Sequence, residues 1–222
     1  MTPGHPNAAA PLQNRVAPDG ALIATPARGT MLGNRGGAFH NADRTLGRRR
    51  WASKQWICCR LEFKGRSRVV MSPGLYTELF FLDEITALAA GHRPCFECRR
   101  DDAMLFARLW AQSEGRPGRA TAGGMDEVLH AERLTETGAK RTDRGRLTRI
   151  PAGSFFLWEG QPCVLASLRD GLPHCALWRP EGYAPLADPP DEEAQVDVLT
   201  PPSIRRVMNQ GYWPPLPALP WS

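Results

Sequence analysis

The chain has 222 residues, 42% of them hydrophobic, which is enough for one large domain or two small ones with a real core. Its net charge of +5 is spread unevenly, because residues 28–68 hold eleven Lys or Arg against two acids, while residues 181–197 hold six acids and no base. No apolar run could span a bilayer, and the N-terminus lacks the core of a signal peptide. We therefore expect a cytoplasmic protein with an anionic partner, nucleic acid ahead of membrane, whose six cysteines bind metal or pack as thiols instead of forming disulfides.

The first part of the chain is rich in glycine and arginine. The segment 1–27 opens with many Pro, Ala and Asn residues and is expected to form a flexible arm. The glycine-dense segment 28–37 could bind an anion through successive backbone amides, although it lacks the ending of a Walker loop, and a plain loop between short strands is the alternative. Residues 48–51 are three arginines and an indole; they could neutralise phosphates and stack on a base, or else form a solvated basic face with Trp51 in the core.

Residues 55–63 have the apolar pattern of a strand and contain two adjacent cysteines. Because neighbours on a strand point to opposite faces, Cys58 and Cys59 cannot both reach one small site, and only one of them is a candidate metal ligand. A turn and a second, paired strand over residues 68–71 are expected to follow.

Residues 91–100, called the knuckle below, carry the clearest chemical signal. A helix over residues 82–90, capped by Asp83, leads into them, and Gly91 is expected to end this helix in a left-handed conformation. Cys95 and Cys98 are separated by two residues, a spacing that lets both sulfurs bind one tetrahedral zinc ion from a tight turn. Arginines flank both cysteines, so the turn is expected to present positive charge to nucleic acid.

The knuckle resembles the second half of the metal-binding domain of Ada-type DNA-repair proteins, in which a helix leads into a Gly-Phe-Arg-Pro-Cys-x-x-Cys-Arg motif. Residues 91–99 read Gly-His-Arg-Pro-Cys-Phe-Glu-Cys-Arg, and the resemblance covers residues 80–100. It implies that Cys95 and Cys98 are two of four zinc thiolates and that the surrounding fold binds DNA backbone. The chain as a whole also resembles a group of bacterial proteins that carry this segment.

The resemblance is incomplete upstream of the knuckle. Ada-type domains supply the other thiolates as Cys-x-x-x-Cys, and one of these accepts a methyl group from a DNA phosphotriester, whereas the upstream cysteines here are adjacent. At most one of them carries over, and we choose Cys59, with His92 as the fourth ligand and His40 or Cys58 as alternatives to it. Fewer thiolates give the site less negative charge and a less nucleophilic sulfur, which argues against methyl transfer.

Two features stand out between the knuckle and residue 150. A short helix over residues 126–136 places Asp126 and His130 four residues apart on one face, where the carboxylate could orient the imidazole as a general base; a surface ion pair is the alternative. A second basic segment, residues 140–149, is expected to face the same partner as the first.

The pattern becomes β-rich from residue 151. Segments 154–159, 162–169 and 174–179 predict a three-stranded antiparallel meander, in which Cys163 and Cys175 are expected to be buried thiols. A helix over residues 200–210 follows. The predicted fold is therefore α+β, with an arm (1–27), an Ada-like zinc-binding α/β domain (28–114), a helical and basic connector (115–150), and an antiparallel β region with a C-terminal helix and a Pro-rich tail (151–222).

The leading hypothesis is a zinc-binding protein that binds DNA or another nucleic acid in DNA repair or processing. The alternatives are a metal-dependent enzyme acting on a small anionic or phosphorylated substrate and a structural zinc module in protein interaction; the sequence does not decide whether the protein is catalytic. The residues assigned to nucleic-acid binding are Arg48, Arg49, Arg50, Trp51, Arg93, Arg99 and Arg100. Those assigned to zinc are Cys59, Cys95, Cys98 and His92, and the catalytic pair, if there is one, is His130 with Asp126.

Overall fold

The computed structural model describes residues 10–66, 69–169 and 171–216, which form an α+β fold of two six-stranded sheets and four α-helices. The first sheet contains β1 (Gln13–Val16), β2 (Leu22–Ala24), β3 (Met31–Arg35), β4 (Trp56–Arg60), β5 (Leu79–Phe81) and β6 (Arg93–Pro94). The second contains β7 (Asp143–Arg146), β8 (Phe155–Trp158), β9 (Gln161–Arg169), β10 (Leu172–Arg179), β11 (Gly182–Pro185) and β12 (Gln195–Val198). The helices are α1 (Glu84–Ala89), α2 (Arg100–Ser113), α3 (Ala122–Arg133) and α4 (Pro202–Asn209), with a 3₁₀ turn at Leu147–Arg149.

The first sheet has the strand order β2-β1-β5-β3-β4-β6. Strands β1 and β2 lie within the segment expected to be a flexible arm. They pair with each other, β1 also pairs with β5, and Val16 and Leu22 are buried. Thus the part of the arm that the structure describes belongs to the sheet, while residues 1–9 lie outside the described ranges. Its strands are too short for periodicity to reveal, since only one or two residues of each are buried.

The glycine-dense segment 28–37 supplies β3 in the middle of this sheet and does not form an open loop around an anion. Gly33 is required there because a Cβ atom would lie 2.6 Å from the Phe81 ring and 2.3 Å from the carbonyl oxygen of Ile57. The predicted strand over residues 68–71 is wrong for its described part, because residue 69 has no regular structure and residues 70 and 71 lie in a turn.

Helix α1 lies between the two sheets and all six of its residues are buried. Asp83 caps it as predicted, accepting a hydrogen bond of 2.9 Å from the backbone N–H of Thr86. Ile85 and Ala89 of this helix share a core cluster with Phe155 of the second sheet. The helix that leads into the knuckle is therefore held from both sides.

The second sheet is antiparallel throughout, in the order β11-β10-β9-β8-β12-β7. It contains the predicted meander as β8, β9 and β10, and Cys163 and Cys175 are buried thiols as expected. The acidic segment supplies β12, whose pairing with β7 sets Asp197 3.7 Å from Arg144. Part of the second basic segment is therefore neutralised within the chain.

Helices α2, α3 and α4 pack around a separate apolar cluster that includes Phe106, Trp110, Leu129 and Val207. The C-terminal helix is present as predicted, one to two residues shorter at each end. Every helix that the structure describes is too short or too polar to traverse a lipid bilayer.

Gly91 ends the α1 segment with φ +86°, as expected for a left-handed residue. A Cβ atom here would lie 2.7 Å from Cδ and 2.9 Å from Cβ of Arg133, so both the backbone angle and the space require glycine. The turn into the knuckle thus packs directly against α3.

We expect Gly91→Ala to lower the free energy of unfolding by about 2–4 kcal/mol, combining backbone strain of about 1–2 kcal/mol with displacement of Arg133. Gly115→Ala is the matched control, since Gly115 also has a positive φ (+66°) but no atom within 4 Å of the added methyl group. Urea denaturation of both variants measures the difference, and equal losses would show that the contact with Arg133 has no energetic weight.

Candidate functional site

Strand β4 brings one cysteine to the knuckle and turns the other away. Cys58 is fully buried beneath the sheet, whereas Cys59 is partly exposed on the opposite face. The knuckle is held beside β4 because β6 pairs with it in parallel, and the N–H of Cys95 continues this pairing by donating to the Cys58 carbonyl at 3.0 Å. This register places Cys59 next to Cys95 and Cys98.

The sulfur atoms of Cys59, Cys95 and Cys98 are buried and all lie within 4.8 Å of one another. A metal ion with bonds of about 2.3 Å to sulfur holds its sulfurs about 3.8 Å apart, so these separations are close to those of a metal site. The turn is shaped for thiolates, since the N–H of Glu97 donates to the Cys95 sulfur at 3.4 Å and the N–H of Arg99 donates to the Cys95 carbonyl at 3.0 Å. The three sulfurs could hold a metal ion.

The three thiols of the cluster are close enough to shift one another's pKa values. A hydrogen bond from the Cys59 thiol lowers the pKa of Cys95 to about 5, and the same thiol also lowers the pKa of Cys98. Donating these hydrogen bonds raises the pKa of Cys59 itself, with burial acting in the same direction. The cluster already stabilises anionic sulfur before any cation is added, and a divalent cation would allow all three thiols to ionise.

The proposed fourth ligands do not join the sulfurs. His92 is buried on the other side of the strand, with its ring 5.0 Å from Trp56 and 4.7 Å from Phe81, and its Nε2 accepts a hydrogen bond of 3.4 Å from Arg35. His40 is hydrogen-bonded to the Thr77 hydroxyl at 2.7 Å. Among the described residues, the metal-binding group therefore consists of the three cysteines.

Two of the three knuckle arginines are buried and cannot face a nucleic acid, which corrects the prediction. Arg93 is 4% exposed and forms a bidentate ion pair with Asp126, at 2.8 and 2.7 Å. Arg99 is 5% exposed and donates to Glu84 at 2.7 Å and to Asp102 at 2.9 Å. Of the three knuckle arginines, only Arg100 is exposed. The other two are held in the core by their bonds to carboxylates.

The ion pair between Arg93 and Asp126 separates Asp126 from His130, the residue suggested as its catalytic partner. Both carboxylate oxygens of Asp126 are bonded by Arg93, so Asp126 joins the knuckle to α3 and does not orient His130. His130 instead accepts a hydrogen bond of 3.2 Å from Arg133, and burial together with this guanidinium lowers the pKa of the imidazole. The two residues do share α3, as the spacing predicted, but they have different partners.

The basic run before β4 is exposed as expected. Arg48 and Arg49 have no carboxylate partner among the described residues, and Trp51 is half-buried. Together with Arg50 and Thr137 they line an open groove of about 410 Å³, called the outer groove. An exposed, unpaired arginine run beside an accessible indole is free to contact another molecule.

A second cavity of about 380 Å³, called the basic cavity, adjoins the outer groove and shares Arg50 and Trp51 with it. Its walls include Arg35, Arg133 and Lys140, none of which the sequence had singled out individually. Arg35 lies in the glycine-dense segment and Lys140 opens the second basic segment, so those segments were the available signals. The spacing of three residues places Arg133 on the same helix face as His130, which it contacts, but nothing in the sequence places it at a cavity.

Comparison with family models, with curated proteins and with solved structures finds no match for this chain.

We expect the purified chain to bind one thiophilic metal ion, and Cys59→Ser and Cys95→Ser each to lose it, because each removes one of three ligands. Cys58→Ala is the control, since Cys58 is the neighbouring thiol but lies on the opposite face of β4. Elemental analysis of the folded variants gives the stoichiometry. Retention of the metal by Cys59→Ser, or its loss from Cys58→Ala, would contradict the three-cysteine site.

Asp126→Asn should lower the free energy of unfolding by about 3 kcal/mol, because it leaves the buried Arg93 guanidinium without its counter-charge. The adjacent Glu127→Gln removes only an exposed ion pair with Lys54 and should cost less than about 1 kcal/mol. Both values come from chemical denaturation followed by fluorescence. A change of similar size in the two variants would mean that the buried pair does not stabilise the fold.

Proposed function

We propose that this protein binds zinc through Cys59, Cys95 and Cys98 and binds DNA, or another nucleic acid, through the outer groove. Zinc is the metal best suited to a compact set of cysteine sulfurs with no redox partner. Its role is structural, because it ties the knuckle to β4.

The observation that carries the nucleic-acid proposal is the contrast between paired and unpaired arginines. Buried Arg93 and Arg99 are neutralised by carboxylates, whereas Arg48 and Arg49 are exposed without such partners in the described chain. Because exposed ion pairs contribute little to stability, these arginines are hydrated in the free chain, and their charge is available to attract an anionic partner. Trp51, half-buried beside the run, offers a ring face on which a base can stack. The proposed contacts therefore lie before β4, with the exposed Arg100 as the remaining knuckle contribution.

The double variant Arg48→Gln/Arg49→Gln should weaken binding to a 20-base-pair duplex and lower the slope of log K against log salt concentration by about 2, since each lost phosphate contact releases one fewer counterion. Fluorescence anisotropy at a series of salt concentrations measures both quantities.

Arg108→Gln is the matched control, because Arg108 is an exposed arginine on α2 away from the outer groove. It should leave the slope unchanged. Duplex binding that does not depend on salt, or that falls equally in the two variants, would overturn the assignment of the groove.

A further inference from the structure

The buried cations of this protein fall into two classes. Arg93 and Arg99 each meet a carboxylate at 2.7 Å. Arg35 and Arg133 are even less exposed, at 1% and 0%, yet neither forms an ion pair within the described part of the chain. Taking a guanidinium out of water without a counter-ion is costly, so the second class needs an explanation.

Both unpaired guanidiniums are held in place by neutral acceptors. Arg35 donates to the carbonyls of Gly20 at 2.9 Å and Arg50 at 3.3 Å. Arg133 donates to the carbonyls of Gly91 at 2.9 Å and Lys54 at 2.6 Å, and its Nε has no hydrogen-bond partner. These bonds orient the two side chains without cancelling their charge.

The two guanidiniums also share one aromatic ring. Their Cζ atoms lie over the indole of Trp56, at 3.8 Å for Arg35 and 3.9 Å for Arg133. The contact stabilises a cation at each position and keeps both planar groups at the wall of the basic cavity.

A third cation completes the set. Lys140 lines the same cavity and donates to the Ala89 carbonyl at 2.6 Å. Burial, followed by mutual repulsion, lowers the pKa of Lys140 to about 7 and that of Arg35 to about 9, and burial lowers that of Arg133 to about 9. Arg35 and Arg133 therefore remain charged at neutral pH, whereas Lys140 lies near its titration midpoint, and an anion bound beside these groups would favour their charged forms.

Negative charge near the cavity is limited. Asp19 lines it and partly offsets Arg35 and Lys140. Asp126 raises the pKa of Arg133 at longer range, but both its oxygens are bonded by Arg93. Asp143 also raises the pKa of Lys140, but its carboxylate is bonded by Arg205. Among the described residues that line the cavity, four basic side chains, counting Arg50, thus face one carboxylate, Asp19, across a volume of about 380 Å³.

We propose that the basic cavity is a binding site for a phosphate monoester, the group carried by a mononucleotide and by the 5′-phosphorylated end of a nucleic-acid strand. A monoester is largely a dianion at neutral pH, because its second pKa is about 6, whereas an internal phosphodiester or a carboxylate carries one charge. Guanidinium groups bind its oxygens in pairs, and the rings of Trp51 and Trp56 provide apolar wall for the attached sugar and base. The strand-end source rests on the nucleic-acid binding proposed above, whereas the free-nucleotide source does not.

Calorimetric titration of the full-length, zinc-loaded chain with adenosine 5′-monophosphate tests the site, with adenosine as the ligand that lacks the charge. We expect the monophosphate to bind at least tenfold more tightly than adenosine. Lys140→Gln, which can still donate to the Ala89 carbonyl, should weaken monophosphate binding by roughly tenfold or more, the usual effect of losing a hydrogen bond between charged groups.

Lys64→Gln is the matched control, since it removes the same charge from an exposed loop outside the cavity. If Lys140→Gln is poorly folded, the thermal midpoint of the wild-type chain is measured with the monophosphate and with adenosine. A ligand that binds the native state raises this midpoint. The proposal is overturned if the monophosphate and adenosine bind or stabilise equally, or if Lys140→Gln and Lys64→Gln have the same affinity for the monophosphate.

A 5′-phosphorylated single strand and its 5′-hydroxyl counterpart then distinguish the two sources. A preference for the phosphorylated strand that disappears in Lys140→Gln identifies the strand end, whereas no preference alongside tight monophosphate binding identifies the free nucleotide. Binding of a duplex without terminal phosphates depends only on the outer groove, through Arg48 and Arg49. Loss of one activity while the other persists therefore shows which of the two proposals has failed.

Discussion

The alternation of side chains between the two faces of β4 is the constraint on which the sulfur cluster and the basic cavity depend. Trp56 and Cys58 are buried on one face of this strand, and Cys59 projects from the other. The face of Trp56 carries the unpaired guanidiniums and His92, while the face of Cys59 carries the sulfur cluster. A shift of one residue in the pairing of β4 with β6 would exchange the two faces and destroy both sites. The bond from the Cys95 N–H to the Cys58 carbonyl helps to hold that register.

The fate of the arginines shows why charge in a sequence is a poor guide to charge on a surface. Arg93 and Arg99 flank the cysteines, and the sequence predicts that they belong to a basic turn that faces a ligand. In the folded chain, each is instead bonded to a carboxylate. For Arg93 that carboxylate is 33 residues away on α3, and for Arg99 it is on α1, where Glu84 also accepts from the Tyr212 hydroxyl at 2.7 Å. Such pairs repay the cost of burial and serve to join elements. Exposed arginines and unpaired buried ones are what remain for ligands.

Local signals predicted the parts of the fold that local interactions determine. The cap at Asp83, the left-handed Gly91 and the antiparallel meander each depend on neighbouring residues, and the structure confirms them. Strand alternation likewise places Cys59, and not Cys58, beside Cys95 and Cys98. The edge strands and the pairing of β12 with β7 depend on contacts between distant segments, which periodicity in a short strand does not encode. The basic cavity lies beyond sequence reasoning for the same reason, since its residues come from five separate parts of the chain.

The sulfur cluster and the basic cavity lie on opposite faces of a strand, yet they share one frame. Arg93, two residues before Cys95, is bonded to Asp126 on α3, and α3 also carries Arg133. Arg133 in turn donates to the carbonyl of Gly91, at the start of the knuckle, and packs against its α-carbon. The sulfur cluster and one wall of the basic cavity are therefore joined through a short series of buried bonds, because the knuckle that carries Cys95 and Cys98 also carries the acceptor that orients Arg133.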